Sequence, residues 1–407
     1  MSAYHPLNAD EAIQLARSIP GRFPDHAELE CREIGDGNLN LVFHVTAKNT
    51  ADSIIIKQAV PYAKVVGESW PLSLDRARIE RLALETEYSL CPDLVPKVYG
   101  YSDELAYTVM EDLSEYTIMR KGLIEGIAYP KFAEHIGRFL ARTLFYTSDL
   151  GMNQQKKKEL AGRFVNPDLC KITEDLIFED PYRESANNNY EQSIADEAEA
   201  LRADLPLHFE VALLRHKFLT HAQALLHGDL HTGSIFVTPE STKVIDPEFA
   251  YFGPMGFDIG AVIGNLLLNY AAQPGWSKDE QTLAAREARL LEMASSVWTH
   301  FENNFRTLWN DDLLDEMSRT PGYQDHYVSQ ILKDAAGFAG CKMIRRIVGL
   351  SHVADIDTIA DVKARETAQR KALAIGKNLV RHHRSIKSFE DILTLITQAS
   401  KGNEVSI

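Results

Sequence analysis

The sequence predicts a two-part α+β protein: a small antiparallel sheet carrying one helix, then a larger, mainly helical region. Three observations predict it. Roughly the first 110 residues alternate short β-branched and aromatic runs with turns. The rest of the chain is dominated by apolar residues at helical spacing. One short hairpin pattern, Ile235-Phe-Val237 and Val244-Ile245 around the turn-forming Thr238-Pro-Glu-Ser-Thr242, interrupts the helices near the middle of the chain.

In chain order, Leu39 to Val45 and Ser53 to Lys57 read as neighbouring strands joined by Lys48-Asn-Thr-Ala-Asp52. Leu74 to Leu90 reads as a helix, with Asp75 at its start, Ile79, Leu82 and Ala83 at helical spacing, and Pro92 after its end. Val98 to Tyr101 and Leu105 to Met110 are two further strands. Residues 1–110 form the first region, 111–114 a connector, and 115–407 the helical region. Within the latter, Lys131 to Asp149 and Leu207 to Leu226 are predicted helices. Residues 151–205 are polar and broken by prolines, which predicts helices with long connections.

Composition excludes several classes. Of 407 residues, 45% are hydrophobic and 25% charged, as in ordinary globular proteins. The formal net charge of -15 disfavours non-specific binding to nucleic acid or an anionic membrane, and no basic block with interleaved aromatics occurs. Cys31, Cys91, Cys170 and Cys341 are far apart and form no CxxC, which argues for a reducing compartment and against zinc–thiolate chemistry. The first residues show no signal-peptide pattern. The most apolar stretch, Ile259 to Ala272, is shorter than the ~20 residues of a membrane span and contains Asn265 and Asn269. The expectation is a cytoplasmic protein.

The chemistry is concentrated at the hairpin. A hairpin returns its ends side by side, so Asp229 before it and Asp246 with Glu248 after it are expected close together. The i, i+2 spacing of Asp246 and Glu248 aims both to one side of an extended segment. Such acids suit phosphoryl transfer of the protein-kinase type, with one Asp orienting the nucleophilic hydroxyl and the others holding Mg²⁺ on nucleotide phosphates. His227 and His231 flank Asp229, but no zinc-hydrolase helix motif surrounds them. Asp258 opens the helix from Ile259 and reads as an N-cap; in kinase-like folds an Asp at this place also braces the loop that carries the catalytic Asp.

The first region supplies candidate phosphate contacts. Gly35-Asp-Gly37-Asn-Leu-Asn40 joins two strands; it fits both a plain strand-linking turn and a phosphate-cradling loop, in which the Asn40 amide could donate. Lys57 ends an apolar strand one hairpin later, where it is either a solvated edge residue or a cation over the ATP phosphates. Its orienting carboxylate would be Glu80 or Glu87, with Glu80 preferred. Main-chain groups of Glu111-Asp112-Leu113 could read an adenine edge. Arg345 and Arg346, adjacent on a helix with apolar neighbours, cannot both face water and need acceptors: an internal acid, or substrate and transferring phosphate. Trp70, in a Gly/Pro-bounded loop, is either packed or a closing lid.

Taken together, His227-Gly-Asp229-Leu-His231-Thr-Gly-Ser234, the Asp246-Pro247-Glu248 triplet, the Gly35 to Asn40 turn, Gly67-Glu-Ser-Trp70-Pro running into Asp75-Arg-Ala-Arg-Ile-Glu80, and the twin arginines resemble the methylthioribose kinase family. The likeness runs from about residue 5 to residue 400, and the family sits in a wider group resembling aminoglycoside and choline kinases. It implies a bilobal protein-kinase-like fold and ATP-dependent phosphorylation of the anomeric hydroxyl of 5-methylthioribose. It further implies Asp229 as the catalytic, sugar-contacting acid. Asp246, Pro247 and Glu248 would lie at ATP with Mg²⁺ on the two acids; Gly35, Gly37, Asn40 and Lys57 would meet the phosphates, and 111–113 the adenine. Arg345, Arg346 and Trp70 would lie on the substrate side of a homodimeric enzyme. Ser234 stands where most kinases place a metal-binding Asn, which shifts metal duty to Glu248. Kinases for choline, homoserine or an aminoglycoside are the alternative. Twin arginines speak against a polycationic substrate, and the intact Lys57, Asp229, Asp246 and Glu248 speak against an inactive nucleotide-binding module.

Overall fold

In the computed structural model, which describes residues 4–35, 40–63 and 67–400 (backbone alone at 63 and 67–70), helix α1 (Ala9–Ser18) starts on a capping box. Asn8 accepts from Glu11 N while Glu11 accepts from Asn8 N, satisfying two end-of-helix donors. Strands β1 (Leu29–Glu33), β2 (Asn40–Ala47) and β3 (Ser53–Ala59) follow. A separate ribbon, β4 (Tyr62–Ala63) with β5 (Gly67–Pro71), leads to α2 (Asp75–Leu90). Then β6 (Val98–Ser102) and β7 (Tyr107–Met110) complete an antiparallel sheet of order β1-β2-β3-β7-β6.

The strand period sorts the faces of this sheet. Ile54 and Ile56 are fully buried beside Phe43, Val45, Ala12 and Ala16, under α1. Ile55 packs instead toward the main core of the molecule, and Lys57 shares that opposite face, paired in register with Val42 and Thr108. The apolar-run reading of this strand is therefore correct in place, and Lys57 is a cleft residue rather than a solvated edge.

The C-terminal region begins with β8 (Thr117–Ile118), α3 (Met119–Glu125) and α4 (Phe132–Tyr146). Helices α5 (Gln154–Arg163), α6 (Pro167–Phe178), α7 (Ala195–Ala203) and α8 (Leu205–Thr220) fill the stretch predicted as helices with long connections. One expectation fails here. The helix predicted to run to Leu226 stops at Thr220, and residues 224–226 form strand β9 (Ala224–Leu226). Beyond it lie β10 (Ile235–Val237), β11 (Thr242–Val244) and β12 (Tyr251–Gly253). β9 leaves helical geometry because β12 supplies antiparallel ladder partners, Leu226 to Tyr251 and Leu225 to Phe252, from a distance that local periodicity does not register. The predicted hairpin is β10–β11, and β8 adds a third strand to it.

Helices α9 (Gly256–Trp276), α10 (Glu280–Asp312), α11 (Tyr323–Val348), α12 (Ala354–Asp357), α13 (Val362–His382) and α14 (Phe389–Ser400) complete the chain. Every residue of α9 from Gly256 to Gln273 is buried, so this helix is the axis of the region. Its glycines allow α11 to approach closely: a Cβ on Gly260 would lie 2.5 Å from Ala335 O. The close crossing fixes the buried half of α11, which carries Arg345 and Arg346, beside the hairpin region. α2 is also fixed there, since Ile79, Leu82 and Ala83 pack with Leu225, Ala250 and Phe252 of the β9–β12 segment. No helix among the described residues is long and apolar enough to cross a membrane.

Candidate active site

The loop between β9 and β10 is held from three sides. Gly228 adopts φ +85°, and a Cβ there would meet Phe249 O at 2.2 Å, so only glycine suits the position. The Asp258 carboxylate accepts from His227 N at 2.7 Å and Gly228 N at 3.0 Å. Asp258 lies inside the first turn of α9, whose N-cap is Met255, so the N-cap expectation is corrected while its bracing of the loop is observed. Asp229 N donates to His227 Nδ1, which leaves the His227 ring proton on Nε2, 2.8 Å from Ile245 O. His227 thus ties the two ends of the hairpin together and is not a free ligand. Ser234 bonds Asp229 O and His231 Nδ1. It braces the loop and is not aimed at the hairpin's far acids.

Two charged neighbourhoods flank this loop. In the first, Lys57 Nζ donates to Glu80 Oε1 at 2.7 Å and also pairs with Asp246. Of the two candidate partners on α2, Glu80 is the one engaged; Glu87 lies two turns on, buried, with Oε2 lacking a partner. Asp246 has φ +70°, an uncommon backbone state for a non-glycine residue of the kind that clusters at functional sites. Buried Pro247 then carries the chain to Glu248, which accepts from Arg76 Nη1 at 2.7 Å and from Asn40 Nδ2 at 3.3 Å. Arg76 also donates to Asn40 Oδ1 and Val60 O. Oxygens of Glu80, Asp246 and Glu248 all lie within 4.8 Å of one another. Burial opposes the charge on Lys57, but Asp246, Glu80 and Glu248 outweigh it and hold its pKa above the ordinary value. Burial, with two carboxylates alongside, pushes Glu80 up to about 7 against the pull of Lys57. Glu248 is lowered despite burial, by Lys57 and Arg76.

The second neighbourhood surrounds Asp229. Lys342 Nζ donates to Asp229 Oδ1 at 2.8 Å. Gly233 N donates to His231 Nδ1 at 3.0 Å, so the neutral ring carries its proton on Nε2, 3.5 Å from Asp229 Oδ2. Burial favours uncharged His231 and, with Arg120, Arg346 and Lys342 acting in the same direction, prevails over Asp229, so its pKa falls well below the usual range. Asp229 itself is held well below the carboxylate range: burial opposes its charge, but Lys342, with Arg346 and Arg345, overcomes that. Arg345 and Arg346 both donate to Ser351 O, and Arg346 also to Ser351 Oγ and His352 O; both Nε atoms are buried without a partner. Their direct acceptors are thus neutral, and of the two acceptor types expected the internal acid is not the one bonded. Arg120, at the start of α3, reaches Asp355 at 3.1 Å and Asn265 at 3.0 Å.

The remaining predicted residues divide. Asp112 is fixed by His44 Nε2 at 2.9 Å and Ser53 Oγ at 2.7 Å, and Glu111 accepts from Lys243 and Lys97 N. Buried Leu113 opens the turn that follows the connector, accepting from Tyr116 N. These side chains stiffen the connector, while among the described residues Leu113 N and Glu111 O take no protein partner. Asn40 does not stand at a loop tip; it is buried against Glu248 and Arg76. Gly35 lies in the turn after β1, Gly37 lies outside the described residues, and Trp70 lies on β5 with its side chain outside them. Asp229 is outside the three-acid group, although its charge reaches Asp246. Sequence reasoning missed Arg76, Arg120 and Lys342. Arg76 sits four residues before Glu80, and Lys342 three and four before the twin arginines, so helical spacing was the available signal for both.

Buried, opposed carboxylates and cations on either side of a braced Asp loop are the apparatus of a phosphotransferase. Residues 30–292 match the phosphotransferase enzyme family. A methylthioribose kinase from Geobacillus sp. is 52% identical over 98% of this chain and 97% of its own length. One from Cronobacter sakazakii is 45% identical over 98% and 100%. A solved choline kinase from Cryptosporidium parvum aligns over 96% of this chain and 94% of its own, at 14% identity and a TM-score of 0.45. The chain belongs to the phosphotransferase enzyme family, and within it to the methylthioribose kinases.

Proposed function

We propose that this enzyme transfers the γ-phosphoryl group of ATP to the anomeric hydroxyl of 5-methylthioribose, giving the 1-phosphate for methionine salvage. The observation that carries the reading is the pair of oppositely biased neighbourhoods meeting at one hairpin, in a chain whose near-full-length relatives carry that name. ATP sits between an N-terminal lobe, 1–110, and a C-terminal lobe, 115–407. Its adenine meets the free main-chain groups of 111–113, and its phosphates meet Lys57, held by Glu80, with Asn40, Gly35 and Gly37 as further proposed contacts. Asp246 and Glu248 are all-oxygen donors, which fits Mg²⁺, a cation that takes one or two carboxylates and keeps its waters. When bound with the nucleotide, Mg²⁺ neutralises phosphate charge that builds during transfer.

Asp229 does the positioning. Ionised at neutral pH, it accepts the hydroxyl's hydrogen bond and aims the oxygen at the γ-phosphorus; in a loose transition state this orientation is its larger contribution. Arg345 and Arg346 supply positive charge where the transferred group arrives. Trp70 closes over the occupied site, and tryptophan fluorescence that does not change on adding an ATP analogue with sugar would refute that part. The working enzyme is a cytosolic homodimer on this reading, which sedimentation tests. The decisive experiment is coupled ADP release over a panel of free sugars, choline, homoserine and an aminoglycoside. Strong turnover of 5-methylthioribose is expected; turnover of choline alone would overturn the substrate while leaving the kinase reading intact.

A further inference from the structure

The residue two after Asp229 is His231, buried and neutral, so the loop itself brings no cation to the Asp229 carboxylate. The cation that touches Asp229 comes from 113 residues further along. Lys342 lies on the buried half of α11, with its side chain 3% exposed and its Nζ 2.8 Å from Asp229 Oδ1. Its ammonium also stands 4.7 Å from the centroid of the Phe257 ring, which limits where the head group can swing. Phe257 in turn is buried in the first turn of α9, beside Asp258, the residue that holds the Asp229 loop. Lys342 is also three and four residues before Arg345 and Arg346, so one helix face presents all three cations to the Asp229 pocket.

We propose that Lys342 is the positioning residue that holds the Asp229 carboxylate in its reactive orientation and charge state. This rests on the kinase reading above. The step it serves is balanced as follows. The substrate oxygen forms a bond to the γ-phosphorus, the bond from that phosphorus to the β–γ bridging oxygen breaks, and ADP keeps the electron pair. The hydroxyl proton passes to Asp229. One carboxylate oxygen of Asp229 is tied to Lys342, so the other, Oδ2, is the one turned to the hydroxyl. As Asp229 takes the proton, the Lys342 charge loses its partner just as negative charge accumulates on the transferring group. Lys342 thus favours the ionised acid before transfer and the phosphorylated product after it.

The groups facing Asp229 define the test. They are Lys342, Arg345 and Arg346 from α11, Arg120 from α3, His227 and His231 from its own loop, and Asp246 from beyond the hairpin. The wild-type enzyme is first assayed with ATP and 5-methylthioribose; absence of turnover there defeats the substrate reading and says nothing of Lys342. With an active wild type, Lys342→Met, which keeps the apolar stem, is expected to lower kcat by about 10²-fold, the scale of losing one preorganised charge contact. Its KM for ATP should change by less than roughly threefold, since uniform binding is not what is removed. The acid limb of its pH–kcat/KM profile should move to higher pH, because Asp229 loses its closest cation. Lys342→Arg should restore part of kcat, and a small alkylamine should restore part of the activity of Lys342→Ala. If Lys342→Met does not fold, the Arg variant and the amine-rescued Ala variant carry the same test. A folded Met variant with unchanged kcat and an unmoved acid limb, or an Ala variant that no amine rescues beside an Arg variant equal to it, would overturn the proposal.

Discussion

The two neighbourhoods beside the hairpin are built from the same residue types in opposite proportion. Among the described residues around Lys57, three carboxylates, Glu80, Asp246 and Glu248, face two cations, Lys57 and Arg76. Around Asp229, four cations, Lys342, Arg345, Arg346 and Arg120, face two carboxylates, Asp229 and Asp355. Buried charge left unbalanced is costly. Among the described residues the first neighbourhood therefore suits a cationic ligand and the second an anionic one. On the proposed reading these are a metal–nucleotide and the transferred phosphoryl group, and an excess of cations beside Asp229 suits a neutral sugar acceptor better than a polycation.

The strongest way to break this comparison is at Asp229. Asp229→Ala should reduce kcat by about 10³-fold, within the range for a positioned acid–base group, while calorimetric binding of Mg²⁺ with an ATP analogue stays nearly intact. Equal loss of nucleotide binding would mean the two neighbourhoods are one. On the other side, Glu248→Gln should weaken Mg²⁺-dependent nucleotide affinity by roughly 10–100-fold, read from a Mg²⁺ titration, with sugar affinity little changed. Arg346→Gln sharpens the anion side. Removing one charged donor to the arriving group should cost about 2 kcal/mol, or roughly 30-fold in kcat/KM for the sugar, with KM for ATP unmoved.

The smallest expected effect lies between the neighbourhoods, at Glu87. Burial, with Asp258 nearby, raises its pKa well above the ordinary value. An acid whose folded pKa is raised contributes fully below its unfolded pKa, and that contribution is lost as pH rises toward the folded value. Glu87→Gln, which mimics the protonated acid, should therefore gain on the wild type as pH rises above ~4.3. Urea unfolding at pH 6 and pH 8 checks this, with little change expected in either substrate's KM.

Much of this was legible in advance because local rules governed it. Lys57 follows an apolar run with strand period; the β10–β11 turn is marked by Thr238, Pro239 and Ser241; Asp246 and Glu248 sit at i, i+2 just after it. The helix misread through Leu226 failed because β9 is created by β12, a partner 25 residues away that leaves no periodic trace. Asp258 was expected both to cap its helix and to brace the loop, and only the bracing is observed, because a first-turn acid looks the same in sequence whether it serves its own helix or another segment. Arg120, Arg76 and Lys342 were missed for a related reason. Each lies in a helix, where a cation is ordinarily a solvated surface residue, and only burial distinguishes it.

The sequence by itself determined the two-part α+β architecture, the hairpin and the identity of its acids, because backbone preference, strand and helix period and turn chemistry act over a few residues. It led to the expectation that Asp229 would join Asp246 and Glu248; the structure groups those two with Glu80 instead, and Asp229 acts on Asp246 only through its charge. Only the tertiary structure decided which charges those acids face. The glycine-mediated approach of α9 to α11, and the seat of α2 on β9 and β12, bring Lys342 to Asp229 and Glu80 to Lys57. Electrostatic balance in a buried site depends on distances between segments far apart in the chain, and no local pattern encodes them.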